Sequence, residues 1–315
     1  MNPKLSYVSK YYKPTTLVIA GGGVKCISLC GVMEYLEKSG VRKSINKIYA
    51  VSSGALFAIL FSLGYNTCDM HKEIYKMSNS TIFGVNNPLS TNIISLATSA
   101  LDLYRNCAIN NMETLTNYVI NLFEKKGVYA GISFENFKKI IGISLNIFAT
   151  NVDKYKIKCF CPEKTPNVSV ITALLGSMSI PFLFKCIKIG KMHYSDGGLM
   201  CNFPFEYAEE NKTKNEEILG LYFSIIPKKI SDEYDYIEKS LKMMNFISNI
   251  INIVFRVNQP SGTVEEQTKR GICEIKIPEG NFIDFNLTRE QKKMFIDCGY
   301  SSIKKFIINK ILIRK

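Results

Sequence analysis

Residues 48–63 change from strand character to helix character within a few positions, and they read Ile48-Tyr-Ala-Val-Ser-Ser-Gly-Ala-Leu-Phe-Ala-Ile-Leu-Phe-Ser-Leu63. The β-branched and aromatic residues at the start predict a buried strand, and the apolar stretch after Gly54 predicts a buried helix. The uncharged run 48–68 is nominally long enough to span a bilayer. Because two serines and a glycine interrupt it, we predict a strand, a tight turn and a helix instead of a transmembrane segment.

A second unit of the same kind precedes this one along the chain. Thr15–Ala20 reads as a short buried strand, Gly21-Gly22-Gly23 as a turn, and Ser28–Lys38 as a helix with apolar residues at helical spacing. Two strand–turn–helix units in series are typical of a parallel sheet covered by helices. The predicted fold class is therefore α/β.

The remaining sequence gives a coarser prediction. Further strands are predicted at 155–161, 187–189, 193–195 and 218–226, and a helix at 168–179. Region 65–145 is predicted to be mixed and mainly helical, with loops at 78–92 and 127–131. The C-terminal region at about 227–315 is predicted to be helical. From 236 onward its pattern is helical at both ends around a turn-rich part at 258–285. Since no repeat or linker is visible, we predict one domain over 1–315, with its core motifs in about 15–225.

The composition excludes several classes of protein. With 46% hydrophobic residues over 315 positions the chain can bury a large core, which excludes a disordered or fibrous protein. The formal net charge is +13, and the basic residues are 34 Lys and only 6 Arg. Anionic surfaces should attract such a protein. Specific nucleic-acid binding is not expected, because Arg is the residue that reads bases and phosphates with a bidentate fork.

The cysteines and the N-terminal residues indicate the cellular compartment in which the protein is expected. The ten cysteines form no C-x-x-C pair, which predicts free thiols in a reducing environment. The first residues contain no long apolar segment of the kind a secretory signal needs. We therefore expect an intracellular, cytoplasmic protein that can associate peripherally with membranes.

The glycine run at 21–23 stands where nucleotides often bind, between a strand and a helix. Position 26 is Cys where a dinucleotide site needs its third Gly, and no Gly-Lys-Ser/Thr follows anywhere in the chain. What remains is a strand end whose backbone N–H groups can face an anion or a developing oxyanion. A plain glycine turn is the alternative.

The turn Ala50-Val51-Ser52-Ser53-Gly54 matches the nucleophile-elbow pattern G-x-S-x-G, with Ala in place of the first Gly. The pattern also stands in the required context, between a strand and a helix. Ser52 is therefore the candidate nucleophile. The alternative is a buried structural serine, since short motifs of this kind match by chance.

A serine nucleophile needs a base, and the chain offers two kinds. Its only histidines are His71, in a sequence typical of a surface helix, and His193, which Asp153 precedes in the order needed for a serine–acid–histidine set. The other candidate is Asp196, at the end of a predicted strand and followed by two glycines. Asp-Gly-Gly is also a good turn sequence, so the residues alone leave these alternatives open.

Four motifs follow one another in the order found in one enzyme family. They are Gly21-Gly22-Gly23-Val24-Lys25, the elbow at Ser52, Ser179-Ile-Pro181-Phe-Leu-Phe184 and Asp196-Gly-Gly-Leu-Met-Cys-Asn202-Phe-Pro204. The chain thus resembles the patatin-like phospholipases over about 15–225, with weaker similarity at 284–300. It departs from the family pattern at Cys26, where a Gly usually follows the basic residue, and at Ala50.

The resemblance implies a three-layer α/β/α fold with a mainly parallel central sheet. It also implies a Ser–Asp dyad without histidine, in which Ser52 is the nucleophile and Asp196 the base. The oxyanion hole would be Gly21, Gly22 and Gly23, and the supporting motif positions would be Lys25, Gly54, Gly197 and Gly198. The implied activity is phospholipase A-type cleavage of fatty acyl esters of membrane phospholipids through an acyl-enzyme, without metal or cofactor. Because an ordinary Asp pKa of about 3.9 makes a poor base for a hydroxyl, burial should raise the pKa of Asp196.

Two questions stay open at this level. A catalytically weak member that binds a membrane or a protein partner is the alternative function, and ester hydrolysis compared with Ser52→Ala separates the two. The C-terminal residues 304–315 carry five positive and no negative charges, with a helical stripe of apolar residues at 303, 306, 307 and 311. This pattern fits a helix on a membrane surface, but a helix packed on the core with its lysines outward is the expected case.

Overall fold

The computed structural model describes residues 8–84, 103–105, 107–110, 112–213, 217–226, 249–251, 253–255, 260–278 and 283–313. The part of the predicted loop at 85–92 therefore lies outside the described residues. The same holds for residues 227–248, which include the start of the helical pattern predicted from 236 onward.

The strands are numbered along the described residues. They are β1 (Thr16–Ile19), β2 (Lys47–Val51), β3 (Ala108–Asn110), β4 (Ser144–Asn151), β5 (Lys156–Phe160), β6 (Phe182–Phe184), β7 (Ile187–Ile189), β8 (Met192–Asp196), β9 (Ile218–Ile226) and β10 (Ile272–Pro278). The helices, numbered in the same way, are α1 (Val8–Tyr11), α2 (Leu29–Lys38), α3 (Ser52–Ser62), α4 (Thr67–Lys76), α5 (Asn79–Phe83), α6 (Glu113–Glu124), α7 (Phe134–Ile141), α8 (Val170–Met178), α9 (Phe205–Glu210), α10 (Val264–Arg270) and α11 (Arg289–Ile313).

A mixed sheet forms the centre of the molecule, with the strand order β10-β9-β1-β2-β4-β8-β7. The strands from β10 to β4 are parallel, whereas β8 and β7 are antiparallel to their neighbours and β5 pairs antiparallel with β4. Helices cover both sides of the sheet. The fold is therefore the predicted α/β fold with a mainly parallel sheet, because β1 and β2 are buried strands that each lead into a helix on the sheet.

Several predicted elements are confirmed. The uncharged run 48–68 is strand β2, a turn and helix α3, and α3 is buried on all sides. The strands predicted at 187–189 and 218–226 have the predicted bounds, and the helix predicted at 168–179 is α8. Among the described residues no helix is both long and apolar enough to cross a membrane.

Two predictions of secondary structure were wrong. The loop predicted at 78–92 begins with helix α5, because Ser78 caps this helix by accepting a hydrogen bond from the Thr81 N–H. The helical prediction for 65–145 agrees with α4, α6 and α7, and the unpredicted β4, a central strand whose eight residues are all buried, follows it. The turn-rich part of the C-terminal region contains β10, which pairs with β9 at the edge of the sheet. The C-terminal region is therefore not only helical. The single domain over 1–315 stays a prediction.

Helix α11 packs its apolar stripe on the core. Ile303, Phe306 and Ile307 are buried, while Lys304 and Lys305 are exposed. The helix contacts α2, β10 and the 3-10 turn Gly23–Ser28 that follows β1. The core-helix expectation is thereby confirmed. All ten cysteines lie within the described residues and are free thiols, as predicted.

Candidate active site

Ser52 stands at the junction of β2 and α3. It is the first residue of the helix, and its φ of 53° lies in the left-handed region that side-chain-bearing residues rarely adopt. The junction is tight because the start of α3 crosses the end of β1. A β-carbon on Gly54 would collide with the carbonyl oxygen of Ala20, so the position requires glycine. This strand–turn–helix geometry is the one that the nucleophile-elbow pattern predicts for a candidate nucleophile.

The register of the sheet brings Asp196 to the same place. Val51, the last residue of β2, pairs with Phe148 of β4, and the next residue of β4, Ala149, pairs with Asp196 at the end of β8. The end of β2 and the end of β8 therefore lie on opposite sides of β4, at the same level of the sheet. The antiparallel direction of β8 is essential, since it ends this strand next to the carboxyl end of β2.

The hydroxyl of Ser52 donates a hydrogen bond of 2.6 Å from Oγ to Oδ2 of Asp196. The other carboxylate oxygen, Oδ1, accepts a bond of 2.7 Å from the backbone N–H of Gly198. Burial raises the pKa of Asp196 to about 7, although the hydrogen bonds from Ser52 and Gly198 lower it. The carboxyl group thus titrates near neutral pH, where a general base is most effective.

Ser177 of α8 supports the strained turn, and sequence reasoning did not identify it. Its Oγ accepts a bond of 2.8 Å from the backbone N–H of Ser52 and donates one of 2.6 Å to the carbonyl oxygen of Phe148. One buried hydroxyl therefore ties the elbow to β4. A serine within an otherwise apolar helix was the available signal, but its partners are far away in the sequence.

The amides of the glycine run differ in their partners. Gly21 N–H donates to the backbone carbonyl of Asn202 at 3.0 Å, and Gly22 N–H donates to Ser53 Oγ at 3.2 Å. Gly23 has a φ of 56° and begins the 3-10 turn, and no described residue accepts a hydrogen bond from its amide. Lys25, in the same turn, is half-buried.

Cys26 forms a contact with Ser53 beneath the glycine run. Its Sγ lies 3.0 Å from Ser53 Oγ, and burial raises the pKa of the thiol to about 12. The thiol therefore stays protonated at neutral pH. Ser53 is thus linked to the glycine run through both Cys26 and Gly22. A substitution of Ser53 would therefore change contacts of the glycine run.

The two histidines contact acidic residues other than Asp196. His193 Nδ1 is 3.2 Å from Asp153 Oδ1, and both side chains are well exposed to solvent. His71 lies on α4, with Nε2 at 3.8 Å from Glu34 Oε2. The structure therefore joins Asp153 to His193, as the alternative base assignment required. It joins Ser52 to Asp196 instead of to that pair.

Both residues of the candidate dyad are buried. Ser52 is 2% exposed and Asp196 is 0% exposed. The ring of Phe223 lies against Gly22, and the ring of Phe255 lies against Gly198. The two aromatic rings border the two loops that face the serine.

The sequence model of the patatin-like phospholipase family matches residues 17–209, which are more than half of the chain. The chain belongs to the patatin-like phospholipase family. The matched region includes the glycine run, the Ser52 elbow and the Asp196 turn, and it ends before β9. The resemblance inferred from the four sequence motifs is confirmed.

Individual relatives extend this similarity along the chain. A protein of Invertebrate iridescent virus 6 named probable lipid hydrolase is 28% identical over 255 residues, covering 78% of this chain and 82% of that protein. An uncharacterised protein of Acanthamoeba polyphaga mimivirus is 23% identical over 300 residues, covering 94% of each chain. The crystal structure of VipD from Legionella pneumophila shares the fold, with a TM-score of 0.56 and 16% identity over 94% of this chain and 67% of that one.

The two glycines of the Asp-Gly-Gly motif allow close contacts between the Asp196 turn and its surroundings. Gly197 lies against the carbonyl oxygen of Phe148, and Gly198 carries the amide that binds Asp196. A side chain at Gly197 would push the Asp196 turn away from β4. At Cys26 the family pattern changes, and here the thiol fills space next to Ser53.

Proposed function

We propose that the protein is a lipid acyl hydrolase that cleaves fatty acyl esters of membrane phospholipids in a phospholipase A-type reaction. The observation that carries the proposal is the 2.6 Å hydrogen bond from Ser52 Oγ to Asp196 Oδ2, at an elbow of the patatin-like fold. The reaction would need no histidine, metal or cofactor, because a buried carboxylate whose pKa is about 7 can itself accept the serine proton.

In the proposed acylation, Ser52 Oγ attacks the ester carbonyl carbon while Asp196 takes the hydroxyl proton. The tetrahedral intermediate collapses, the bond to the alcohol oxygen breaks, and Asp196 returns the proton to that leaving oxygen. The product bound to the enzyme is an ester of Ser52. Water then attacks this acyl-enzyme with Asp196 again as the base, which releases the fatty acid and restores the serine.

The oxyanion hole is assigned to the glycine run, because a β-carbon on Gly21 would lie 3.1 Å from Ser52 Cβ, so the run lies beside the proposed nucleophile. The Gly23 amide is the first donor, as no described residue accepts its hydrogen bond. Gly22 N–H is the second, once an oxyanion replaces Ser53 Oγ at 3.2 Å as its acceptor. Gly21 N–H is committed to Asn202, so its part is to hold the loop in place.

The substrate class and the location follow from charge and chemistry. The net charge of +13 favours binding to anionic lipid surfaces, and we assign peripheral membrane association to the protein on this ground. Ten free thiols fit a reducing compartment, consistent with a cytoplasmic location. We assign phospholipids as substrates because the family to which the chain belongs is that of the patatin-like phospholipases.

The direct test is release of fatty acid from phospholipid vesicles, and separately from a water-soluble acyl ester, by the wild-type protein and by Ser52→Ala. The expected result is hydrolysis of both substrates by the wild type and of neither by the variant. Matching circular dichroism spectra and melting temperatures would show that the variant folds. Equal release by the two proteins would contradict the proposal.

The alternative function, membrane or protein binding by a catalytically weak family member, makes a different prediction. The wild-type protein would then bind anionic vesicles without releasing fatty acid, and Ser52→Ala would bind equally well. The burial of Ser52, which is 2% exposed, is the observation that keeps this alternative in view.

A further inference from the structure

Asn202 contains an unpaired polar atom beside the dyad. Its backbone oxygen accepts the Gly21 N–H, and its side-chain Nδ2 donates to the Gly21 carbonyl oxygen at 3.2 Å. The residue is 7% exposed, yet its side-chain oxygen Oδ1 is buried and accepts no hydrogen bond from any described residue. Because Nδ2 has an acceptor, the orientation of the amide group is fixed by that bond.

The position of this oxygen is defined by two glycines. A β-carbon on Gly21 would lie 2.5 Å from Asn202 Oδ1 and 3.1 Å from Ser52 Cβ. A β-carbon on Gly198 would lie 2.9 Å from the same oxygen. Asn202 Oδ1 therefore lies between the backbone next to the proposed nucleophile and the turn that binds Asp196.

An acceptor buried without a donor costs folding free energy, so native proteins rarely retain one. Sites of this kind are often completed by a water or a ligand. Here the ring of Phe255 borders the same space, since its carbons lie 2.5 and 2.8 Å from the Gly198 β-carbon position that lies 2.9 Å from the oxygen. A donor that enters the active site can reach the oxygen when this ring moves aside.

We propose that Asn202 Oδ1 accepts one hydrogen of the hydrolytic water during deacylation. The inference rests on the proposed function. Water has two O–H bonds. As its oxygen attacks the acyl carbon, one proton passes to Asp196 and then to Ser52 Oγ as the C–O bond to the serine breaks. The second hydrogen stays on the product acid, and Asn202 Oδ1 orients it during the attack.

The experiment uses methanol as a competing nucleophile. Methanol has a single O–H, which goes to Asp196, so its attack on the acyl-enzyme needs no second acceptor. The full-length protein hydrolyses a soluble acyl ester in buffer with increasing methanol, and the methyl ester and the free acid are quantified. The ratio of the two products depends only on the acyl-enzyme and not on the amount of folded protein.

Two near-isosteric substitutions isolate the oxygen. Asn202→Leu removes both Nδ2 and Oδ1, whereas Asn202→Asp removes Nδ2 and keeps an acceptor oxygen. The expected methyl ester to acid ratio rises roughly tenfold in the Leu variant, the effect of one hydrogen bond, and stays near the wild-type ratio in the Asp variant. Asn202→Ala, which removes the same groups with a smaller side chain, should also raise the ratio.

The outcomes separate this inference from the proposed function. An unchanged ratio in Asn202→Leu and Asn202→Ala, with hydrolysis still dependent on Ser52, would overturn the role of Asn202 alone. An equal rise in the Leu and Asp variants would do the same, because the acceptor would not be responsible. Absence of any ester turnover by the wild-type protein would overturn both.

Discussion

Ser52 and Asp196 are 144 positions apart in the sequence, yet Oγ of the first donates a 2.6 Å hydrogen bond to Oδ2 of the second. The contact is produced by β4, which pairs with the end of β2 on one side and with the end of β8 on the other. Because Asp196 is fully buried there, burial sets its pKa, and its pKa in turn sets the pH at which the proposed dyad can work.

The pH dependence of hydrolysis should therefore report Asp196. Burial raises its pKa to about 7, and the carboxylate form is the one that can accept the proton. We expect kcat/KM for a soluble ester to be half-maximal near pH 7 and to fall roughly tenfold per pH unit on the acid side. His193→Gln should leave the profile unchanged. A constant kcat/KM between pH 5 and 8 would contradict this assignment.

The sequence predicted the elements whose patterns are local. Apolar runs bounded by glycines or charged residues form β1, the junction of β2 with α3, and β9. Such runs can be identified from the sequence alone. The strand β4 was missed because polar residues interrupt it. Asn146 Nδ2 bonds to the Ile48 carbonyl, and Thr150 Oγ1 bonds to the Asp196 carbonyl, so these polar groups are satisfied by partners that no local pattern reveals.

The same limit applies to the candidate site. Ser52 and Asp196 were identified from the order of the family motifs, and the Ser52 elbow was also visible as a local pattern. The contacts of Ser177 and Ser53 were not, since each depends on residues at least 27 positions away. No sequence pattern predicted that the hydroxyl of Ser53 accepts a hydrogen bond from the Gly22 amide.

Ser177→Ala should weaken the elbow. The change leaves the Ser52 N–H without its 2.8 Å partner, and we expect a loss of about 1–3 kcal/mol in the free energy of unfolding. Because the strained backbone at Ser52 loses its support, kcat should fall by about tenfold or more. Urea unfolding and steady-state kinetics measure the two effects.

The matched control is Ser62→Ala, at the other end of α3. Ser62 is also buried, but among the described residues its Oγ bonds only to the Ala58 carbonyl within the helix. Its kcat should equal that of the wild type. A Ser177→Ala protein with unchanged kcat would show that the elbow does not depend on this hydroxyl.

Gly22 should not tolerate a branched side chain. A β-carbon at this position would lie 2.7 Å from a ring carbon of Phe223, so Gly22→Val must displace the loop and its amides. Loss of one oxyanion donor lowers kcat by about 10²–10³. Gly176→Ala is the control, because its β-carbon would meet only ordinary contacts, the nearest at 3.4 Å to Tyr194 Cβ. Gly22→Val with wild-type turnover of soluble and lipid esters would exclude the glycine run from the oxyanion hole.

Ser53→Ala tests whether the hydroxyl of Ser53 helps to position the backbone amide of Gly22. The change removes the 3.2 Å acceptor of the Gly22 N–H and the 3.0 Å contact with Cys26. We expect a smaller decrease in kcat than for Gly22→Val, and an acyl-enzyme that still forms on Ser52. If Ser53→Ala abolished acylation while Ser52→Ala retained it, the two serines would have to exchange roles.

Deletion of residues 302–315 should destabilise the protein. It removes Ile303, Phe306 and Ile307, all buried, together with Lys310, whose Nζ binds the carbonyl oxygens of Thr268 and Lys269 at the end of α10. Loss of several buried apolar side chains costs several kcal/mol, so the melting temperature should drop sharply.

Membrane binding by the same helix is tested without unfolding it. Lys304 and Lys305 are exposed, and Lys304→Glu with Lys305→Glu should keep the wild-type melting temperature. If this face binds anionic vesicles, co-sedimentation at low salt should weaken in the double variant. Unchanged vesicle binding would assign membrane contact to another surface.

The nucleophile itself is tested most directly by trapping a covalent adduct. The wild-type protein is treated with a fluorophosphonate that carries an acyl chain and is then digested with trypsin. Both serines lie in the tryptic peptide 48–72, so tandem mass spectrometry must locate the adduct within it. We expect modification at Ser52, none in Ser52→Ala, and slow labelling in Asp196→Asn. An adduct on Ser53 or elsewhere, or equal labelling rates in Asp196→Asn and the wild type, would contradict the proposed Ser52–Asp196 dyad.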